Sequence, residues 1–209
     1  MNTEQIRINT HSSIRIEGSR TVYFDPFQVK ENPHDADVVC ITHDHHDHFD
    51  PDSIEKIRKA DTVFICPAGM KKELKSMADE EHCRLIQPGG EIVMGDMIVI
   101  GMPAYNKLKP FHPKHNKWLG YLLEMDGIRY YIAGDTDALS ELQGIQCHIA
   151  LVPIGGTYTM TAKEAAALVN KMRPDAAIPT HYGSIVGSME DADTFRKLVD
   201  PAIEVITKI

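Results

Sequence analysis

Residues 37–42 read D-V-V-C-I-T and residues 42–50 read T-H-D-H-H-D-H-F-D, so an apolar run opens directly into a turn dense with imidazoles and carboxylates. A nearly continuous apolar stretch of this length is the pattern of a strand covered on both faces. Its abrupt end places the chain's polar chemistry at a strand terminus, against a layered core. Four of the 11 histidines and three aspartates fall within residues 42–50. A merely solvated loop would carry Lys, Glu, Ser and Gly, whereas imidazole nitrogen and carboxylate oxygen on one irregular turn are donors for first-row metals. The segment is read as a metal-ligand cluster.

The remaining pattern is layered too. Residues 5–8, 13–17 and 21–24 read as a small β-meander, separated by G-S-R and D-P turns. Residues 51–59, with Asp50 or Asp52 as N-cap, predict a helix, followed by a strand over 62–66 and a second short helix over 68–77. Strands over 84–86, 91–94 and 97–102 follow. Residues 119–124 and 128–133 form a hairpin through Asp126-Gly127, because Asp-Gly suits the positive φ values of a tight turn. A strand over 149–153 precedes a helix over 162–172 that starts from the capping box Thr161/Glu164. A strand over 176–179, a helix over 190–199 and a strand over 203–206 complete the chain. Residues 105–117 have neither periodicity, contain Pro110 and Pro113, and are long for a connection, as functional loops are. A two-sheet sandwich with outer helices fits this order.

At 209 residues the chain suits one core, and 43% apolar with 25% charged residues is ordinary for a globular protein. No stretch approaches the roughly 18 apolar residues of a membrane span, and residues 1–7 lack the apolar segment of a secretion signal, so a cytoplasmic protein is expected. Cys40, Cys66, Cys83 and Cys147 are scattered without a C-x-x-C pair and read as reduced core residues. The formal charge of -8 gives no general attraction for polyanions, so a nucleic-acid polymer is not an expected partner.

Two further residues follow directly on apolar strands: Asp135 in I-A-G-D-T-D and His181 in A-I-P-T-H-Y-G. Taken alone, each reads as a turn or capping residue. Ligand sites in layered α/β proteins gather at the carboxyl ends of strands, so His43, Asp135 and His181 can converge.

The spacing H-x-H-x-D-H of residues 43–48 resembles the signature of the metallo-β-lactamase superfamily, and the resemblance runs over essentially the whole chain. It implies an α/β (α+β) fold, a four-layer αββα sandwich of two mixed β-sheets flanked by helices, as a single domain over residues 1–209. It implies that His43 and His45 bind one metal while Asp47 and His48 bind or approach a second. Asp44 and His46 then face outward or stand behind the ligands, Asp135 bridges, and His181 is the last ligand of the second metal. The family usually supplies a further histidine after the strand corresponding to residues 98–103, where this chain has Asn106. Asn106 through its amide oxygen, His112 or His115 from F-H-P-K-H, or water are the alternatives, with His112 preferred. Each of the three residues has the plain alternative of a loop position that touches no metal.

His11 in N-T-H-S-S resembles a histidine that a lactonase-like branch places near its metals, without the glycine that precedes it there. It reads either as an auxiliary ligand or as a histidine satisfying a turn. Asp25-Pro26-Phe27 resembles the same branch's D-P-F, with Asp25 read as a turn-former. P-A-Y-N, F-H-P-K, G-Y-L-L and Y-I-A-G-D-T are similar to relatives of L-ascorbate-6-phosphate lactonase. His34, His82 and His148 fall outside every motif, and Tyr105, Lys114 and Tyr182 are candidates for substrate contact.

The expected chemistry uses two divalent cations about 3.5–4 Å apart, which turn a shared water into a hydroxide nucleophile at neutral pH. Asp47 and Asp135 are the expected catalytic carboxylates, orienting that hydroxide and relaying its proton. No G-x-S-x-G elbow offers a serine route. The expected activity is hydrolysis of a small ester or lactone, phosphorylated or not, with zinc or manganese and with nickel and iron compatible. The alternatives are a phosphodiesterase or nuclease acting on nucleotides and a non-catalytic metal-binding sensor. The expected partner is a small-molecule substrate, with no membrane and with a homo-oligomer compatible.

Overall fold

The computed structural model describes residues 3–75 and 77–209. Strands β1 (Ile6–Ile8), β2 (Ile14–Glu17) and β3 (Thr21–Phe24) form the antiparallel meander that their β-branched runs predict. Strand β4 (Ala36–Cys40) pairs in parallel with β3. Helix α1 (Pro51–Ile57) returns the chain so that β5 (Arg58–Pro67) and, after α2 (Lys71–Leu74), β6 (Cys83–Ile86) extend the sheet in parallel. The second sheet holds β7 (Glu91–Met94), β8 (Met97–Pro103), β9 (Leu119–Met125), β10 (Ile128–Ile132), β11 (Ile149–Pro153), β12 (Ala176–Thr180) and β13 (Glu204–Val205). Helices α3 (Ala162–Met172) and α4 (Met189–Leu198) make its parallel crossovers. Each half of the chain thus builds one sheet, with strands in chain order.

Period-two alternation divides the side chains among three apolar layers. Val38 and Cys40 of β4 face the second sheet and pack with Phe24, Tyr121 and Leu151. Val39 and Ile41 face outward against Ile54 and Ile57 of α1 and Leu74 of α2. On the far side, Ala165, Leu168 and Val169 of α3 and Phe195 of α4 cover Ala150, Val152 and Ala177. The order is helix, sheet, sheet, helix, as the αββα reading requires.

Local signals were sharp where chemistry is local. Asp126 and Gly127 have φ values of 53° and 74°, and the Thr161/Glu164 box caps α3 at both ends of its exchange. The helix expected over 68–77 is shorter, a 3₁₀ turn at Ala68–Met70 followed by one turn of α-helix. No side chain caps it, and a single turn gains too few bonds to propagate. Strand β5 begins at Arg58 rather than Thr62, through an irregularity opposite Ala36 and Val38, and β13 spans only Glu204–Val205. Cys40 and Cys66 are buried, Cys83 and Cys147 are half-buried, and all four are free. No helix among the described residues is long and apolar enough to cross a membrane.

The carboxyl ends of β3, β4, β10 and β12 lie on one rim, where the two sheets are stitched together. Leu119 donates its backbone N–H to Thr42 (3.1 Å), His181 donates to the His11 carbonyl (3.0 Å), and the Tyr121 hydroxyl donates to the carbonyls of Ile41 and Ile65. Gly120 follows Leu119 on β9, where a Cβ would sit 2.5 Å from the Ala133 carbonyl oxygen and 2.7 Å from that of Ile132, at the end of neighbouring β10. Because the obstruction is backbone, Gly120→Ala should destabilise by about 2 kcal/mol, a fall of roughly 4–8 °C in Tm. Gly144→Ala, whose added methyl would meet no atom within 4 Å, should change Tm by less than about 2 °C. Thermal unfolding of the two variants checks this.

Candidate metal centre

The H-x-H-x-D-H segment is the turn between β4 and α1. His48 and Phe49 both donate their N–H groups to the His45 carbonyl (3.0 and 2.8 Å), and Asp50 caps α1 by accepting from the Asp52 N–H (3.1 Å). That folding turns His43, Asp47 and His48 inward, leaves His45 half-buried, and exposes Asp44 and His46.

Asp25, at the end of β3 with φ 46°, is buried behind the turn. Its carboxylate accepts from the Thr42 N–H (2.8 Å) and hydroxyl (2.7 Å), and its Oδ2 lies 2.7 Å from His48 Nδ1. Asp25 therefore makes a turn, as its sequence context predicts, and also orients an imidazole, which nothing in the sequence marks. With Nδ1 committed to a carboxylate, His48 turns Nε2 toward the centre.

Three overlapping groups of donor atoms form, each with its atoms within 4.8 Å of one another: His43, His45 and His112; His11, Asp47, His48 and His181; and His43, His48 and Asp135. Asp135 stands between them, with Oδ1 3.3 Å from His48 Nε2 and Oδ2 3.3 Å from His112 Nε2 and 3.2 Å from His181 Nε2. Asp47 Oδ2 is 3.2 Å from His11 Nε2, 3.6 Å from His48 Nε2 and 3.8 Å from His181 Nε2. Every residue of the expected ligand set, His11 and His112 included, is brought to this cluster. His115 is exposed on the loop.

Asn106 occupies the position after β8 where the family places a histidine. It accepts from the backbone N–H of His112 (3.2 Å), and its Oδ1 lies 3.0 Å from His112 Nδ1. The amide thus holds the imidazole with Nε2 inward. Its own Nδ2 donates to Asp137 Oδ1 (3.1 Å) and the Tyr158 carbonyl (2.9 Å), while Lys107 N–H and Lys109 Nζ also reach the Asp137 carboxylate (2.8 and 2.7 Å). Asp137, the second aspartate of G-D-T-D, is the anchor of the 105–117 loop and went unread in the sequence. So did Trp118, whose ring centroid lies 4.9, 5.0 and 5.5 Å from those of His43, His45 and His112. The chain's single tryptophan directly after a histidine-bearing loop was the available signal. Of the other residues singled out in the sequence, Tyr182 is fully buried, and His148 accepts the Arg129 N–H through Nδ1 (2.9 Å).

Burial drives the His43 imidazole well below its usual pKa, assisted by the charge of His48. Burial would also lower His48, but Asp135, Asp25 and Asp47 outweigh it and raise His48 to about 9. Asp135 and Asp47 are held below the usual carboxylate range: burial opposes this, while His181 and His48 prevail at Asp135 and His11 and His48 at Asp47. Both carboxylates are therefore anionic at neutral pH.

The donor atoms themselves test whether cations fit. Nε2 of His11, His48, His112 and His181 and Oδ1 of Asp135 are buried without a hydrogen-bond partner, the close contacts above being poorly aligned for one. Imidazole nitrogens and carboxylate oxygens left without a hydrogen-bond partner at one buried point are the donor set that divalent cations take.

Comparison with known proteins agrees with this geometry. A model of the β-lactamase superfamily domain matches residues 5–181. A UPF0173 metal-dependent hydrolase of Thermococcus kodakarensis is 28% identical over 97% of this chain and 95% of its own length. Another, from Archaeoglobus fulgidus, is 31% identical over 90% of this chain and 87% of its own. A crystal structure from Parabacteroides distasonis superposes with a TM-score of 0.79 at 29% identity, covering 97% of this chain and 91% of that one. The chain belongs to the β-lactamase superfamily, within the family of UPF0173 metal-dependent hydrolases.

Proposed function

We propose that this protein is a hydrolase that binds two divalent cations, zinc or manganese, and cleaves a small ester or lactone. The observation that carries the reading is the set of buried, unpartnered imidazole and carboxylate atoms delivered by five separate segments to one rim. His43, His45 and His112 would hold one cation, and Asp47, His48, His181 and His11 the other. Asp135 would bridge them. When bound, the cations supply Lewis acidity toward the scissile carbonyl and acidify water.

The chain's own groups then divide the remaining work. Asp47 keeps 12% of its side chain exposed, against 3% for Asp135, so it is the carboxylate on the solvent side. Its Oδ2 faces three imidazoles, and Oδ1 is the oxygen left to orient the attacking water. Asp25, Asn106 and Ser184 fix the inward nitrogens of His48, His112 and His11; Ser184 Oγ lies 3.2 Å from His11 Nδ1. Trp118 shields the first site from water. The single inter-sheet core supports action as one domain, and four free cysteines support a reducing, cytoplasmic setting.

Elemental analysis of the purified protein should give about two divalent cations per chain, and turnover on a lactone and ester panel should exceed that on bis(p-nitrophenyl) phosphate. Chelation should abolish it, and Asp135→Ala should lower it by about 10³-fold or more while losing cation. Preferential turnover of the phosphodiester would instead favour the nucleotide-directed alternative, and two bound cations without any hydrolysis would favour a sensor. Asp25→Asn and Asn106→Ala touch no cation but should each weaken metal affinity about 10- to 100-fold, measured by competition with a chelating dye; unchanged affinity would remove these residues from the site.

A further inference from the structure

A concavity opens on the same rim as the metal cluster, bounded by the turn after β6, the end of β8 and the 105–117 loop. Its volume is about 400 Å³, within the range of small-ligand pockets. Pro88, Pro103, Ala104, the Tyr105 ring and Trp118 give it mostly carbon walls. Trp118 lines the cavity, and its ring also lies against those of His43, His45 and His112.

Two lysines line the cavity, in different electrostatic states. Lys114 lies over the Tyr105 ring, 4.6 Å from its centroid, with the Tyr105 hydroxyl at 3.2 Å and the Glu141 carboxylate at 3.6 Å. Its charge is already answered. Lys117 donates to the neutral Gln87 Oε1 (3.3 Å), and no carboxylate among the described residues forms an ion pair with it. The cavity beside α2 is also lined by lysines, Lys71 and Lys75, among Leu74, Ala78 and Leu85, but unlike this one it does not border the metal cluster.

We infer that the cavity beside Trp118 receives the non-reacting part of the substrate, an apolar body ending in an anionic oxygen group that Lys117 binds. This deepens the hydrolase reading and rests on it for the word substrate; the binding itself does not. The apolar walls would take up an aryl or short alkyl group by removing it from water. One unneutralised ammonium beside those walls selects a carboxylate or phosphate over a neutral end, by a charge-assisted hydrogen bond. Lys117 and Trp118 are thereby specificity-determining residues.

Trp118 is the sole tryptophan, so intrinsic fluorescence reports this wall alone. The protein, both metal-loaded and chelator-treated, is titrated with phenylbutyrate and with its neutral counterpart phenylbutanol. A saturable change in emission with phenylbutyrate in both forms is expected, with phenylbutanol binding about tenfold more weakly. Lys117→Met should raise the phenylbutyrate Kd about tenfold and leave that of phenylbutanol unchanged, while Lys114→Met should shift either by less than about threefold. Absence of a saturable change, loss of phenylbutyrate binding on metal removal, or equal affinity in Lys117→Met would overturn the proposal. The wild-type comparison of acid with alcohol stands even if a variant fails to fold. Because no turnover is read, an inactive protein that binds phenylbutyrate refutes the hydrolase reading and not the subsite, and an active one that does not bind refutes only the subsite.

Discussion

A carboxylate with no access to water sits at the rim of the first sheet, and the rest of the centre is arranged around it. Burial raises the Asp25 carboxyl above its usual pKa, and the His48 charge and the Thr42 donors counter that shift. Three donors converge on Asp25: two from Thr42, where β4 ends, and one from His48, at the far side of the histidine turn. One buried group therefore sets both the exit direction of the strand and the direction in which His48 presents Nε2. Removing the charge would leave those donors unanswered in a place water does not reach, and the loss would be felt in the turn as a whole.

The arrangement of sheets explains why so many segments can meet there. Each sheet is built from a continuous half of the chain, and parallel pairing places the ends of β3 and β4 in one sheet, and of β10 and β12 in the other, on a common rim. Bonds across the seam, from Leu119 to Thr42 and from His181 to His11, lock the halves in register. His11 and His181 both adopt left-handed backbone conformations, with φ values of 54° and 57°. Such conformations cost a non-glycine residue about a kilocalorie or more and persist where surrounding structure enforces them. Here the enforcement is the hydrogen bond between these two residues, which carries their rings to a centroid separation of 3.6 Å.

What was legible in the sequence follows from the distance over which each feature is determined. The Asp126-Gly127 turn, the Thr161/Glu164 box and the strand-to-histidine transition are decided within a few residues, and the structure places them as read. The convergence of Asp135 and His181 was legible through strand ends and the family spacing. Asp25 was only half legible, because its partners lie 17 and 23 positions away and nothing local marks a turn aspartate as an orienting group. The choice among Asn106, His112 and His115 turned on loop geometry, which has no period to read. Asn106 keeps the place after β8 and His112, six residues on, supplies the inward nitrogen.

That division of labour bears on whether the 105–117 loop is a mobile lid or a fixed support. A closing lid needs few ties to the body, so that opening costs little. This loop is tied by Asn106, Lys107 and Lys109 to Asp137, by Lys107 to the Ala138 carbonyl, and by Tyr105 to Glu141. Asp137 lies two residues beyond Asp135, so the anchor of the loop and the central carboxylate of the cluster share one short stretch of backbone. Moving the loop as a body would break several of these bonds and withdraw His112 from Asp135 together. The loop is therefore a support for the trio His43, His45 and His112, with Leu108 standing out from it into solvent.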